Sequence, residues 1–177
     1  MKIIGPLVID LSLWNDHIIV DELVVGGVKS VILGLYKHWD GSKFVLNTNC
    51  QRILNQLKNS SFLIQSYYYY YPENDPVADA DWYTNIILTS GVNIRFSWSD
   101  CENAQAVMGA DVRSEKYRIF TDRCATKFQK TGVYTNKDFI VGKPSIWTWP
   151  GVRKSAVNIP FILLRLHHTA SGHGWRS

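Results

Sequence analysis

The chain has 177 residues, 46% of them apolar and 19% charged, with a formal net charge of +4. That length suits one domain with a sizeable core, and that balance excludes a disordered chain. The charge is too mild and too scattered for a dedicated nucleic-acid binder, and no apolar run reaches the length of a membrane span.

In chain order, "PLVIDLS" reads as a first strand. Gly5, Pro6 and Asp10 break up the apolar run at the N-terminus, so a strand is expected there and not a signal peptide. "HIIVDELVVGGV" predicts a short helix closed by Gly26 and Gly27, and "KSVILGLY" a second strand. "FVLNTNCQRILNQLKN" carries apolar residues at helical spacing. "SFLIQSYYYYY" predicts a third strand stopped by Pro72, and "DPVADADWYTNIILTSG" a helix ending at Gly91. "VNIRFSWSDCE" follows as a fourth strand and "SEKYRIFTDRCATKFQKTG" as the next helix. "VYTN" and "PSIWTW" read as fifth and sixth strands, and "IPFILLRLH" as one more in the tail. Repeated strand–helix alternation without a long linker predicts a single α/β domain over 1–177 with a parallel sheet. A closed barrel and a doubly wound open sheet both fit this pattern.

Both architectures place the site at the carboxyl ends of the strands. There the first strand offers Asp10 and Ser12, the third Tyr67 to Tyr71, the fourth Asp100 and Glu102, and the fifth Tyr134. Alternation along a strand turns Asp100 and Glu102 to one face and Cys101 to the other, with the two acids' α-carbons roughly 6.5–7 Å apart. Two carboxyls held close cannot both ionise freely, so one keeps its proton to higher pH. A protonated acid beside an ionised partner is what glycosidic cleavage uses. Such pairs more often serve as solvated rims, helix caps or ion-pair partners, and Asp10 reads nearly as well as a cap for the turn after it as it does as a site residue.

The remaining polar and aromatic residues are less telling. Tyr67, Tyr69 and Tyr71 share one face and Tyr68 and Tyr70 the other, so some of the run must pack between sheet and helices. Trp98 suits barrel filling, while Trp147 and Trp149 suit either a sugar platform or core. Cys50, Cys101 and Cys124 lack metal-ligand spacing and read as free thiols in a reducing compartment. His167, His168 and His173 have no carboxylate or Cys partner in their spacing, so no metal site is expected.

"VIDLSLWN", "SYYYYYP", "SWSDCENA", "GVYTNKDF" and "SIWTW", in this order, resemble glycoside hydrolase family 25, the lysozyme-type muramidases of bacteriophages and bacteria. Asp10 and Ser12 match the family's Asp-x-Ser, with Trp14 following. Tyr67 and Pro72 match its Tyr and Pro, Asp100 and Glu102 its Asp-x-Glu, and Tyr134 and Thr135 its Tyr-Thr. "FVLN", Phe44 to Asn47, resembles its Phe-x-x-Asn. The resemblance covers about residues 3–149 and implies an irregular TIM-like β/α barrel. It implies Glu102 as general acid, Asp100 as its ionised partner acting on the substrate's acetamido group, and Asp10 as a third carboxylate. Tyr67, Tyr134, Trp147, Trp149 and Ser12 would bind sugar.

The implied protein is a retaining, metal-free and cofactor-free monomer acting on bacterial peptidoglycan, without membrane insertion. It would be made without a signal peptide and released as a phage endolysin or virion component. One departure stands out: no Asp or Glu follows Asp138, where the family normally has an acid on its last strand. The barrel is therefore expected to be altered or incomplete at its C-terminal strands. The alternatives are a non-catalytic wall-binding barrel and an unrelated α/β enzyme.

Overall fold

Short runs rich in Val, Ile and Leu alternate with helical stretches, and most become the element their pattern predicts. The structure, a computed structural model, describes residues 6–15, 17–102, 109–128, 130–134 and 163–165. The strands are β1 (Leu7–Leu11), β2 (Val28–Gly34), β3 (Lys37–Trp39), β4 (Phe44–Leu46), β5 (Leu63–Tyr69), β6 (Ile94–Asp100), β7 (Thr131–Tyr134) and β8 (Leu163–Arg165). The helices are α1 (Val20–Val25), α2 (Thr48–Leu57), α3 (Pro76–Thr89) and α4 (Ala110–Ala125).

Six strands form one parallel sheet in the order β7-β6-β5-β2-β1-β8. From β1 to β7 the chain steps one place at a time in the same direction, and right-handed crossovers then put the helices on a single face. β8 returns to the free edge of β1. A singly wound barrel requires that return, whereas a doubly wound sheet reverses direction and covers both faces. Among the described residues the sheet is a six-stranded arc. The strand expected at "PSIWTW", with Trp147 and Trp149, lies outside them.

Several boundaries differ from the sequence reading; the helix expected to run to Gly132 ends at Ala125, and Thr131 and Gly132 open β7. Phe44, Val45 and Leu46 fit the helical spacing of the residues after them, yet they pair antiparallel with Lys37–Trp39 as a small hairpin. The helix starts only at Thr48, where the Asn47 side chain accepts from the Asn49 N–H at 2.9 Å. α4 begins at Ala110, four residues before the expected start.

The core lies between the sheet and its helices. Val31, Leu33 and Leu35 meet Cys50, Ile53, Leu54 and Leu57 of α2. Tyr68 and Tyr70 point the same way, into Tyr83 of α3 and Tyr117 and Phe120 of α4; Tyr70 stacks on Phe120 at 4.9 Å. A buried phenol needs a partner for its hydroxyl. Tyr83 shares a 2.6 Å hydrogen bond with Ser66, and Tyr70 donates to the Asn74 carbonyl at 2.9 Å. Half of the tyrosine run is therefore core, as the alternation required.

Candidate active site

The opposite face of the arc carries the polar residues. Its floor is a hydrogen-bonded ladder: the Trp98 indole N–H donates to Gln65 Oε1 at 2.9 Å, and Gln65 Nε2 donates to Ser30 Oγ at 3.0 Å. Trp98 is thus fixed as filling beneath the site. Two glycines let large rings lie flat across their neighbours. A Cβ on Gly132 would sit 2.5 Å from the Trp98 ring, and one on Gly34 would sit 2.5 Å from Tyr67 Cζ. Without those atoms, Trp98 covers β7 and Tyr67 reaches across β2 towards β1.

Above this floor stand the strand-end residues. Register places Tyr69, Asp100 and Tyr134 side by side on β5, β6 and β7. The Tyr67 hydroxyl meets that of Tyr36 at 3.1 Å, with the two rings edge to face. Asp10 lies at the end of β1, and Asp100 is 94% buried by the elements around it, being 6% exposed. Burial pushes the Tyr36 phenol up to about 12, and the negative charges of Asp100 and Asp10 add to the shift. Tyr67 is raised further, again first by burial, then by Tyr36, Asp10 and Asp100. Both phenols therefore stay protonated at any working pH, as donors facing two carboxylates on different strands.

Glu102 follows β6, half-buried. Burial, then Asp100, then Tyr71 and Glu102, raise the Tyr69 phenol. Asp100 and Glu102 also both push up the thiol of the buried Cys101 between them, after burial itself. Asp10 and Asp100 thus lie near Tyr36 and Tyr67, and Asp100 and Glu102 near Tyr69, with Tyr134 half-exposed beside Asp100. Ser12 sits one step away and shapes the turn after β1: its N–H donates to Asn15 Oδ1 at 2.8 Å, and its hydroxyl accepts from the Trp14 N–H at 3.4 Å. Ser12 and Asn15 hold that turn.

The sequence reading missed Tyr36 and Lys37. Tyr36 stands two residues past Gly34 at the same strand end as the acids, a position that could have flagged it. Lys37, on the hairpin, forms a buried ion pair with Asp79 of α3. Asp79 also accepts from Tyr68 Oη at 2.9 Å and Asn74 Nδ2 at 3.0 Å. Between the hairpin and the end of β5 lies a cleft of about 540 Å³, lined by Tyr36 and Tyr69 at the acid-bearing end. Among the described residues, no group of three or more His, Cys, Asp or Glu could hold a metal ion, and no helix is long and apolar enough to cross a membrane.

Two consequences can be measured directly. Gly34→Ala forces the new methyl into Tyr67 and Tyr36, 2.5 and 2.7 Å away. We expect a loss of about 1–3 kcal/mol in urea unfolding, the usual cost of overpacking. The raised tyrosines set the alkaline limit. The unfolded chain releases these protons near the ordinary tyrosine value of 10.0, while folded Tyr36 keeps its proton to about 12. Stability is then complete below about pH 9 and falls as pH rises towards 12: Cys50, raised by burial from 9.0 to about 11, loses its contribution first, and Tyr36 follows from 10.0. Urea midpoints that fall steadily across that window, and not below it, are the expected result.

Parallel strands in sequential order, helices on one face and carboxylates at the strand ends define a singly wound β/α fold with its polar residues at the carboxyl ends of the strands. Residues 9–145 match the sequence profile described as Glycosyl hydrolases family 25, and the chain belongs to that family. Its fold is similar to that in the crystal structure of the Clostridium perfringens spore cortex lytic enzyme SleM, with a TM-score of 0.58 and 17% identity. That likeness covers 77% of this chain and 45% of the other, so this chain spans less than half the length of SleM. No curated protein matches the sequence significantly.

Proposed function

We propose that the chain is an N-acetylmuramidase that cleaves the β-1,4 bond between N-acetylmuramic acid and N-acetylglucosamine in bacterial peptidoglycan. The observation that carries this reading is the placing of carboxylates beside tyrosines at the strand ends, Asp10 and Asp100 near Tyr36 and Tyr67, Asp100 and Glu102 near Tyr69. Glu102, the more open of the two β6 acids, donates its proton to the leaving-group oxygen as the bond from that oxygen to C1 breaks. The acetamido oxygen of the same sugar closes on C1, and Asp100, ionised, polarises the acetamido N–H. Water then opens the ring, its proton goes to the Glu102 carboxylate, and two inversions give net retention. Asp10 holds sugar hydroxyls, and Tyr67 and Tyr134 donate to the acetamido group and steady the positive charge at C1. Trp147, Trp149 and Ser12 extend the sugar contacts in this reading.

One observation favours a second reading, a wall-binding barrel with little turnover. The strand beside β1 is Leu163–Arg165, and Arg165 occupies the register position next to Asp10. No acid stands there. Clearing of a purified peptidoglycan suspension separates the two readings. Clearing supports the muramidase, while protein that pellets with intact walls supports the binding module. The setting we propose is a monomer working on the wall after release from the cell that made it, as phage endolysins do.

A further inference from the structure

Resting on that reading, we infer that the cleft between the β3–β4 hairpin and the end of β5 is a distal subsite for a neutral N-acetylglucosamine unit of the same glycan strand, with Phe44 and Tyr71 as its platforms. The cleft's volume, about 540 Å³, falls in the range of small-ligand sites, roughly 300–1,000 Å³. One end is shared with the catalytic groups through Tyr36 and Tyr69. Its walls also include Phe44, 51% exposed, and Tyr71, 48% exposed.

These rings are fixed by their surroundings. Phe44 meets Trp39 edge to face at 5.2 Å, and the Lys37 ammonium sits over one face of its ring, 4.5 Å from the centroid. Tyr71 meets Tyr69 edge to face at 5.1 Å. Lys37 is in turn fixed by Asp79, and Asn74, in the loop that follows Tyr71, donates to the same carboxylate. One buried acid therefore ties down both walls. Flat rings fixed in place suit the C–H face of a pyranose, and preorganisation spares the cost of ordering them on binding.

Charge selects which sugar. Among the described residues, Lys37 is the one cation lining the cleft, and Asp79 neutralises it. Glu73 lines the cleft as an acid. Among the described lining residues, a muramic acid unit, with its lactyl carboxylate or acidic peptide, meets that acid and a cation already paired. Neutral N-acetylglucosamine meets two rings, the Glu73 carboxylate and the Asn74 side chain.

The test uses Glu102→Gln protein, so that sugars bind without turnover, titrated calorimetrically with N-acetylglucosamine oligomers of two to five units. Affinity should rise with length. Adding Phe44→Ala should leave the dimer unchanged and weaken the tetramer about tenfold, the scale of one aromatic contact, and Phe44→Trp should restore it. Wall clearing by otherwise wild-type chains with Phe44→Ala or Phe44→Trp is followed in parallel. Equal binding of tetramer with and without Phe44→Ala overturns the subsite, as does no oligomer binding by a chain whose wild-type form clears walls. A Phe44 effect confined to peptide-bearing wall fragments overturns it in favour of a stem-peptide site. Neither clearing nor binding by any form overturns the muramidase reading as well.

Discussion

Glu102→Gln should lower the rate of wall-glycan cleavage by about 10²–10⁴-fold, the span a general acid contributes. The substitution keeps the side chain's size and its capacity for hydrogen bonds and removes only the transferable proton. Glu102 lies beyond the end of β6 and is half-exposed, so the core does not depend on its charge. Thermal unfolding and sedimentation with walls should both stay as in the parent. A rate within threefold of the parent, measured by release of reducing sugar, would move the acid's role to another residue. Asp100→Asn is the companion: it should be equally slow, but Asp100 is buried beside Tyr69 and Tyr134, so that variant shifts stability as well.

The second large effect is structural. Asp79→Ala should destabilise the fold by about 3–5 kcal/mol, the cost of breaking a buried ion pair from one side. Asp79 is 4% exposed and carries three partners: the Lys37 ammonium, the Tyr68 hydroxyl and the Asn74 amide. Its removal leaves a cation and two polar groups inside the protein without an acceptor, next to the aromatic cluster of Tyr68, Trp82, Tyr83 and Phe120. Asp81, two residues on, provides the contrast. It pairs with Arg123 through two hydrogen bonds at 2.7 and 3.0 Å, but both side chains are open to water. Solvent screens that pair, and Asp81→Ala should cost little. Urea unfolding of the two variants side by side checks the prediction.

Much of this arrangement is legible in the chain. β1, β2, β5 and β6 follow from their apolar runs, and the acids at two of their ends from simple alternation. The split of the tyrosine run follows from a period of two, and the core and cleft rings fall where it puts them. What escaped depends on contacts distant in sequence. The hairpin is invisible because Phe44, Val45 and Leu46 continue the helical pattern of α2, and only pairing with Lys37–Trp39 makes them a strand. Asp79 looks like a solvated residue in "DPVADADWY", and its partner Lys37 is 42 positions away. Gly34 and Gly132 gain their meaning only when Tyr67 and Trp98 lie across them. Asp10 reads both as a cap and as a site residue in the sequence, and it lies near enough to Tyr36 for its charge to raise that phenol.

The identity of the sugar at each new reducing end tests the central claim most directly. Purified peptidoglycan is digested with the chain, the fresh ends are reduced with borohydride, and the hydrolysate is assayed for muramitol and glucosaminitol. Muramitol, formed by the parent and not by Glu102→Gln, is the result predicted here. Glucosaminitol, or soluble fragments carrying no new reducing end, would contradict it.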